Sequence, residues 1–123
     1  MRAIVIDDSR AIRSILCGML QKIGFETQEA VNGRDALMHL KANNPPDLAL
    51  LDWNMPEMNG LELVQAVRKD ARFAAMPMMM VTTETEMSQV VRALEAGAQE
   101  YVMKPFTKDI IEEKLRLLGL IDG

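Results

Sequence analysis

The chain has 123 residues, 49% hydrophobic and 26% charged, with a net charge of −4 and one cysteine. That is the size and balance of one ordinary globular domain, able to bury a core without staples. The acidic balance argues against non-specific binding to nucleic acid or anionic membrane, the lone Cys17 excludes an internal disulfide and a cysteine-based zinc site, and no run approaches the ~18 apolar residues that span a bilayer.

The first run, AIVID at 3–7, reads as a buried strand. A helix is predicted over 9–23, with Ile12, Leu16, Met19, Leu20 and Ile23 on one face and Gly24 as its stop. Cys17 falls inside this pattern and reads as a structural thiol, because it has no histidine or cysteine companion. ETQEA at 26–30 is a polar strand, expected at a sheet edge. Asn32-Gly33 turns into a second helix reaching about residue 43, and Pro45-Pro46 breaks the chain. DLALLD at 47–52 is a buried strand; Asn59-Gly60 turns into a helix to about residue 70. PMMMVT at 77–82 is the fourth strand, and its methionines read as core. A helix over 87–96 ends at Gly97, EYVM at 100–103 is the fifth strand, and Thr107 caps a last helix to about residue 118. Strand and helix alternate five times, which implies an α/β fold, a (βα)5 doubly wound parallel sheet with helices on both faces. With no linker or tail in the pattern, one domain over 1–123 is expected. The short apolar start before Asp7 is no secretory leader, so a cytoplasmic protein is expected.

The strands end on chemistry. Strand one ends on Asp7-Asp8, strand three on Asp52, strand four on Thr82-Thr83 and strand five on Lys104-Pro105. In a parallel sheet these carboxyl ends share one edge, where open α/β sheets bind ligands. Three acids there repel, each pair by about 4 kcal/mol at ~4 Å and an effective dielectric near 20. Either one acid takes a proton or a cation sits between them. Oxygen donors in this number suit Mg²⁺ sharing its shell with a phosphate. Lys104 and the Thr82 hydroxyl could reach phosphoryl oxygens, and Asp52 is the best nucleophile candidate, since a carboxylate can form an aspartyl phosphate.

The segments VIDDS, LLDWNMPEMNGLEL, MMMVTTE and EYVMKPF, in this order and at these spacings, resemble the receiver domain of two-component response regulators, closest to the single-domain, CheY-like chemotaxis type. The resemblance covers the whole chain and implies a flavodoxin-like sheet of strand order 2-1-3-4-5. It implies that Asp52 accepts a phosphoryl group from a histidine kinase. Mg²⁺ would be bound by the Asp8 and Asp52 side chains and the Asn54 backbone carbonyl, with Asp7 holding it through water. Lys104 would contact the phosphoryl oxygens and precede a cis proline. Thr82 would move toward the phosphoryl group and Tyr101 swing into the space left behind. The face of the fourth helix, fifth strand and fifth helix would carry the signal to another protein, such as a flagellar motor switch or a phosphorelay component, the chain acting as a monomer with slow autodephosphorylation.

Other residues carry plainer expectations. Trp53 is expected exposed beside the site, and His39 is expected as a surface residue. Met55, Met58 and Met87 are placed for a partner contact, and Glu84, two beyond Thr82, is expected to influence phosphoryl hydrolysis. A haloacid-dehalogenase-like phosphohydrolase would instead place its nucleophile after strand one in a D-x-D-x-T pattern, where this chain has Asp7-Asp8-Ser9, and it would carry a cap insertion. An adaptor that never takes phosphate would have no need of the full set of strand-end residues.

Overall fold

Short runs, apolar in all strands but the second, become strands here and amphipathic stripes become helices, in strict alternation. The computed structural model describes residues 1–83 and 87–122. Its elements are β1 (Arg2–Ile6), α1 (Arg10–Ile23), β2 (Glu26–Ala30), α2 (Gly33–Ala42), β3 (Leu48–Leu51), α3 (Gly60–Arg68), β4 (Met78–Thr82), α4 (Met87–Ala96), β5 (Glu100–Met103) and α5 (Lys108–Leu117). A 3-10 turn at Ala71–Phe73, not foreseen in the sequence pattern, follows α3. The strands pair in parallel in the order β2-β1-β3-β4-β5, the flavodoxin-like arrangement. Polar β2 is indeed at an edge.

The helix starts are chemically specified. Ser9 accepts from the Ile12 backbone, Asn32 from Asp35 and Thr107 from Ile110, each filling an orphan donor of a first turn. Asn59 and Glu62 form a reciprocal capping box at the start of α3.

Alternation along each strand sorts the core into two layers. Ile4, Ile6, Ala49, Leu51, Met78 and Met80 face α2, α3 and α4. Ala3, Val5, Leu48, Leu50, Met79, Val81 and Val102 face α1 and α5. The β4 methionines are core, as expected, and Cys17 is a buried thiol whose pKa burial pushes up. Each buried Val, Leu, Ile or Met among them contributes roughly 1.5–3 kcal/mol of burial free energy.

Candidate functional site

Register decides which strand-end residues meet. Ile6 pairs with Leu51, so the next residues, Asp7 and Asp52, leave the sheet side by side. Parity decides which way they point. Asp7, Asp52 and Lys104 continue the Val5, Leu50 and Val102 series, on the side of α1 and α5. Thr82 and Tyr101 belong to the opposite series, facing α4.

Asp7 is buried, and all four of its polar groups are engaged. Its N–H donates to the Ala30 carbonyl at 3.2 Å, and its carbonyl accepts from Arg13 Nη1 at 2.7 Å. Its Oδ1 accepts from the Ser9 N–H at 2.8 Å and its Oδ2 from Lys104 Nζ at 2.9 Å. The same ammonium is 3.5 Å from Asp52 Oδ2. The Asp52 N–H donates to the Ile6 carbonyl at 3.0 Å, yet its Oδ1 is buried with no hydrogen-bond partner. An orphaned buried carboxylate oxygen is rare in a folded protein and demands a partner. One oxygen from each of Asp7, Asp8 and Asp52 lies within 4.8 Å of the others. Asp8 is exposed, so this oxygen cluster opens to solvent. The donors are hard oxygens, and the set is compatible with Mg²⁺.

Gly60 sets how closely α3 can approach this edge. Its N–H donates to the Trp53 carbonyl at 2.9 Å. A Cβ there would run into the Asp52 carbonyl, the Trp53 Cα and the Met80 methyl. The Lys104–Pro105 peptide is cis.

Thr82 is buried at the end of β4. With Trp53, Met80, Val90, Ala93 and half-buried Tyr101 it lines a cavity of about 10 Å³. That is room for about one water. Lys114 Nζ lies 5.2 Å from the Tyr101 ring centroid.

Several expectations need correction. Trp53 is not exposed: only 8% of its surface is accessible, because it lies beneath α4, with Arg92 at 6.0 Å from its ring. Met55 is buried and so not free for a partner, while Met58 is half-buried, packed on the core against Gly33. His39 is half-buried and ties two elements together, its Nδ1 2.9 Å from Gln28 Nε2 and its Nε2 3.4 Å from Asp35 Oδ1. Asn54 is exposed. Glu84 lies outside the described residues, as does the side chain of Met87. Arg13 escaped notice, although a signal existed. It shares the buried stripe of α1 with Leu16, Cys17 and Leu20, where a cation is out of place.

Burial holds the Asp52 carboxyl above the usual carboxylate range; Lys104 opposes this and Asp7 reinforces it. A group whose folded-state pKa is raised contributes stability that is complete below its unfolded pKa, about 3.9 for Asp. That contribution is lost as pH rises through the folded value. In metal-free buffer, Asp52→Asn should therefore melt a few degrees above wild type at pH 7. The gain should fade as pH falls below the ordinary Asp range. A gain that stayed constant into acid would show that packing, not charge, caused it.

The response regulator receiver domain pattern matches residues 3–116. The chain belongs to that family. The receiver domain is 44% identical over 119 residues to the chemotaxis protein CheY1 of Helicobacter pylori, covering 96% of each chain. It is 43% identical over 125 residues to a CheY homolog of Campylobacter jejuni, covering 100% of this chain and 96% of that one. Its structure superposes on the chemotaxis protein CheY4 of Vibrio cholerae with a TM-score of 0.88 at 32% identity, covering 95% and 97% of the two chains. It is a receiver of the CheY type. Among the described residues no helix is long and apolar enough to cross a membrane.

Proposed function

We propose that this receiver, acting as one unit over 1–123, is a phosphorylation switch in which Asp52 takes a phosphoryl group from the phosphohistidine of a histidine kinase. The observation that carries this reading is the buried, unpartnered Asp52 Oδ1 beside a lysine and two further acids. An Asp52 oxygen attacks phosphorus. The new O–P bond forms as the N–P bond breaks, and the imidazole nitrogen leaves with the electron pair. Mg²⁺ would be held by the Asp8 and Asp52 side chains and the Asn54 backbone carbonyl, with Asp7 reaching it through water; it would supply the charge neutralisation that phosphoryl transfer requires.

Lys104, drawn between Asp7 and Asp52 in this state, turns its ammonium onto the incoming phosphoryl oxygens. Thr82 follows them with its hydroxyl. Thr82 and Tyr101 line the same small cavity, and Tyr101 swings inward into the space that Thr82 leaves behind. A phosphoryl group shifts the balance between two states only by interacting differently with each. Here the difference is the contact to Thr82. The altered face of α4, β5 and α5 then meets its target. Relatives named as chemotaxis proteins support a pathway of that kind, with a flagellar motor switch or a phosphorelay component as target. The protein works as a cytoplasmic monomer, neither an enzyme of metabolism nor a nucleic-acid or membrane binder, and the aspartyl phosphate slowly hydrolyses on the protein itself.

Incubation with a small phosphodonor and Mg²⁺ should add one phosphoryl mass to the intact chain. Peptide mapping should place it on Asp52, and chelating the metal should prevent it. No gain, or a gain on another residue, overturns the proposal.

A further inference from the structure

We infer that Arg13 is a positioning residue for the Asp7-Asp8 turn, held in its working orientation by Glu29. The inference rests on the reading of Asp7, Asp8 and Asp52 as the Mg²⁺ ligands.

Asp8 sits on the first residues beyond β1, where strand pairing no longer fixes the backbone. Its Cα lies in the peptide plane that contains the Asp7 carbonyl, because the six atoms from Cα to Cα of a peptide unit move together. Whatever holds that carbonyl therefore sets where the Asp8 side chain begins. The group that holds it is Arg13 Nη1, at 2.7 Å. The bonds at the Asp7 N–H and Oδ2 fix Asp7 itself, the Ser9 N–H to Oδ1 bond closes the turn over this plane, and Arg13 is the group that holds the carbonyl end of it.

Arg13 is in turn oriented. Its side chain is 12% exposed in the α1 stripe, and its Nε donates to Glu29 Oε1 on β2 at 3.0 Å. The guanidinium is planar, so fixing Nε aims Nη1. The Glu29 side chain is half exposed, and a pair of that kind adds little to stability. A purely electrostatic role for Arg13 has the wrong sign, since a cation beside a cation site repels the ion. Glu29 offsets that charge and leaves the geometry.

The two accounts predict opposite changes. Mg²⁺ alone would be titrated calorimetrically at a temperature well below each variant's melting point, with the emission of the single tryptophan, Trp53, as a second readout. Removing a residue that orients a metal ligand typically weakens binding ~10-fold or more. Arg13→Ala should weaken Mg²⁺ by about that factor, and Arg13→Lys, which keeps the charge without the fork, should not restore it. Glu29→Gln should weaken it about 3-fold with an almost unchanged melting point, and the double variant should match Arg13→Ala, because both act through one bond. If Arg13→Ala binds Mg²⁺ as tightly as wild type or more tightly, the inference is wrong. Should Arg13→Ala fail to fold, Arg13→Lys decides, because it keeps the charge and loses the fork: weakened binding supports the inference and wild-type binding overturns it. A wild type that ignores millimolar Mg²⁺ defeats the metal reading and this inference with it. A wild type that binds while the variants match it defeats this inference alone.

Discussion

Lys104→Ala should slow phosphoryl uptake by ~10²–10³-fold while making Mg²⁺ bind more tightly, two effects that a simple loss of structure would not produce together. The ammonium is 2.9 Å from Asp7 Oδ2 and 3.5 Å from Asp52 Oδ2, with its side chain 12% exposed. In metal-free protein it is the cation these acids have, and removing one partner of a buried pair costs roughly 3–5 kcal/mol. The variant should therefore lose about 3 kcal/mol of stability at pH 7 without metal. A divalent ion then relieves more repulsion than it does in wild type, so affinity should rise about 10-fold, equivalent to 1.4 kcal/mol. Added Mg²⁺ should recover much of the lost melting temperature by mass action. Transfer itself gains nothing from this. A fixed donor aimed at oxygens that gather charge in the transition state contributes on the order of 10²–10³ in rate. Denaturation melts with and without Mg²⁺, calorimetry and a phosphodonor time course would measure all three. Wild-type uptake by the variant at saturating Mg²⁺ would remove Lys104 from the proposed chemistry.

How much of this could be read from residues alone depended on whether the answer lay along one element or between two. Helix starts were readable because each is a local exchange of hydrogen bonds, as at Ser9, Asn59 and Thr107. The strand-end residues were found because a parallel sheet gathers carboxyl ends on one edge whatever its register. The contact of Asp7 with Asp52 needed the register itself, Ile6 against Leu51, which no residue announces. Trp53 was misplaced for a related reason. Gly60 lets α3 press against the Asp52–Trp53 backbone, and the indole turns under α4 rather than outward. Met58 is drawn inward by the missing side chain of Gly33, a partner 25 positions away. The two arginines were the larger omission. Arg13 and Arg68 bond to backbone carbonyls, and a carbonyl leaves no trace in residue identity.

Arg68→Ala should be among the most destabilising substitutions far from the site, costing about 3 kcal/mol and lowering the melting temperature by roughly 10 °C. Its guanidinium closes the amino-terminal edge of the sheet. Nη1 donates to the Phe73 carbonyl at 2.6 Å, and Nη2 to the Met76 carbonyl at 2.7 Å. Nε and Nη2 share the Gly97 carbonyl at 3.1 and 2.9 Å, and Nη2 also meets Gln99 Oε1 at 2.9 Å. One side chain thus ties the end of α3 to the 3-10 turn, the entry to β4 and the turn before β5. Gln99 extends the tie, its Oε1 accepting from the Met78 N–H at 2.7 Å. Burial lowers the pKa of Arg68, but a guanidinium keeps its proton at any working pH, so the bonds stay charge-assisted. Gly97 adopts φ +127°, and a Cβ there would collide with the Arg68 stem, so the turn is shaped around the arginine. Lysine should rescue little, since one ammonium cannot span these acceptors. Because they cluster at the edge opposite Asp52, Mg²⁺ affinity and phosphoryl uptake below the melting point should stay within about 2-fold of wild type. Urea melts with an unchanged slope would report the loss. A loss under ~1 kcal/mol would mean that water replaces the guanidinium at the carbonyls and that the edge is held by packing instead.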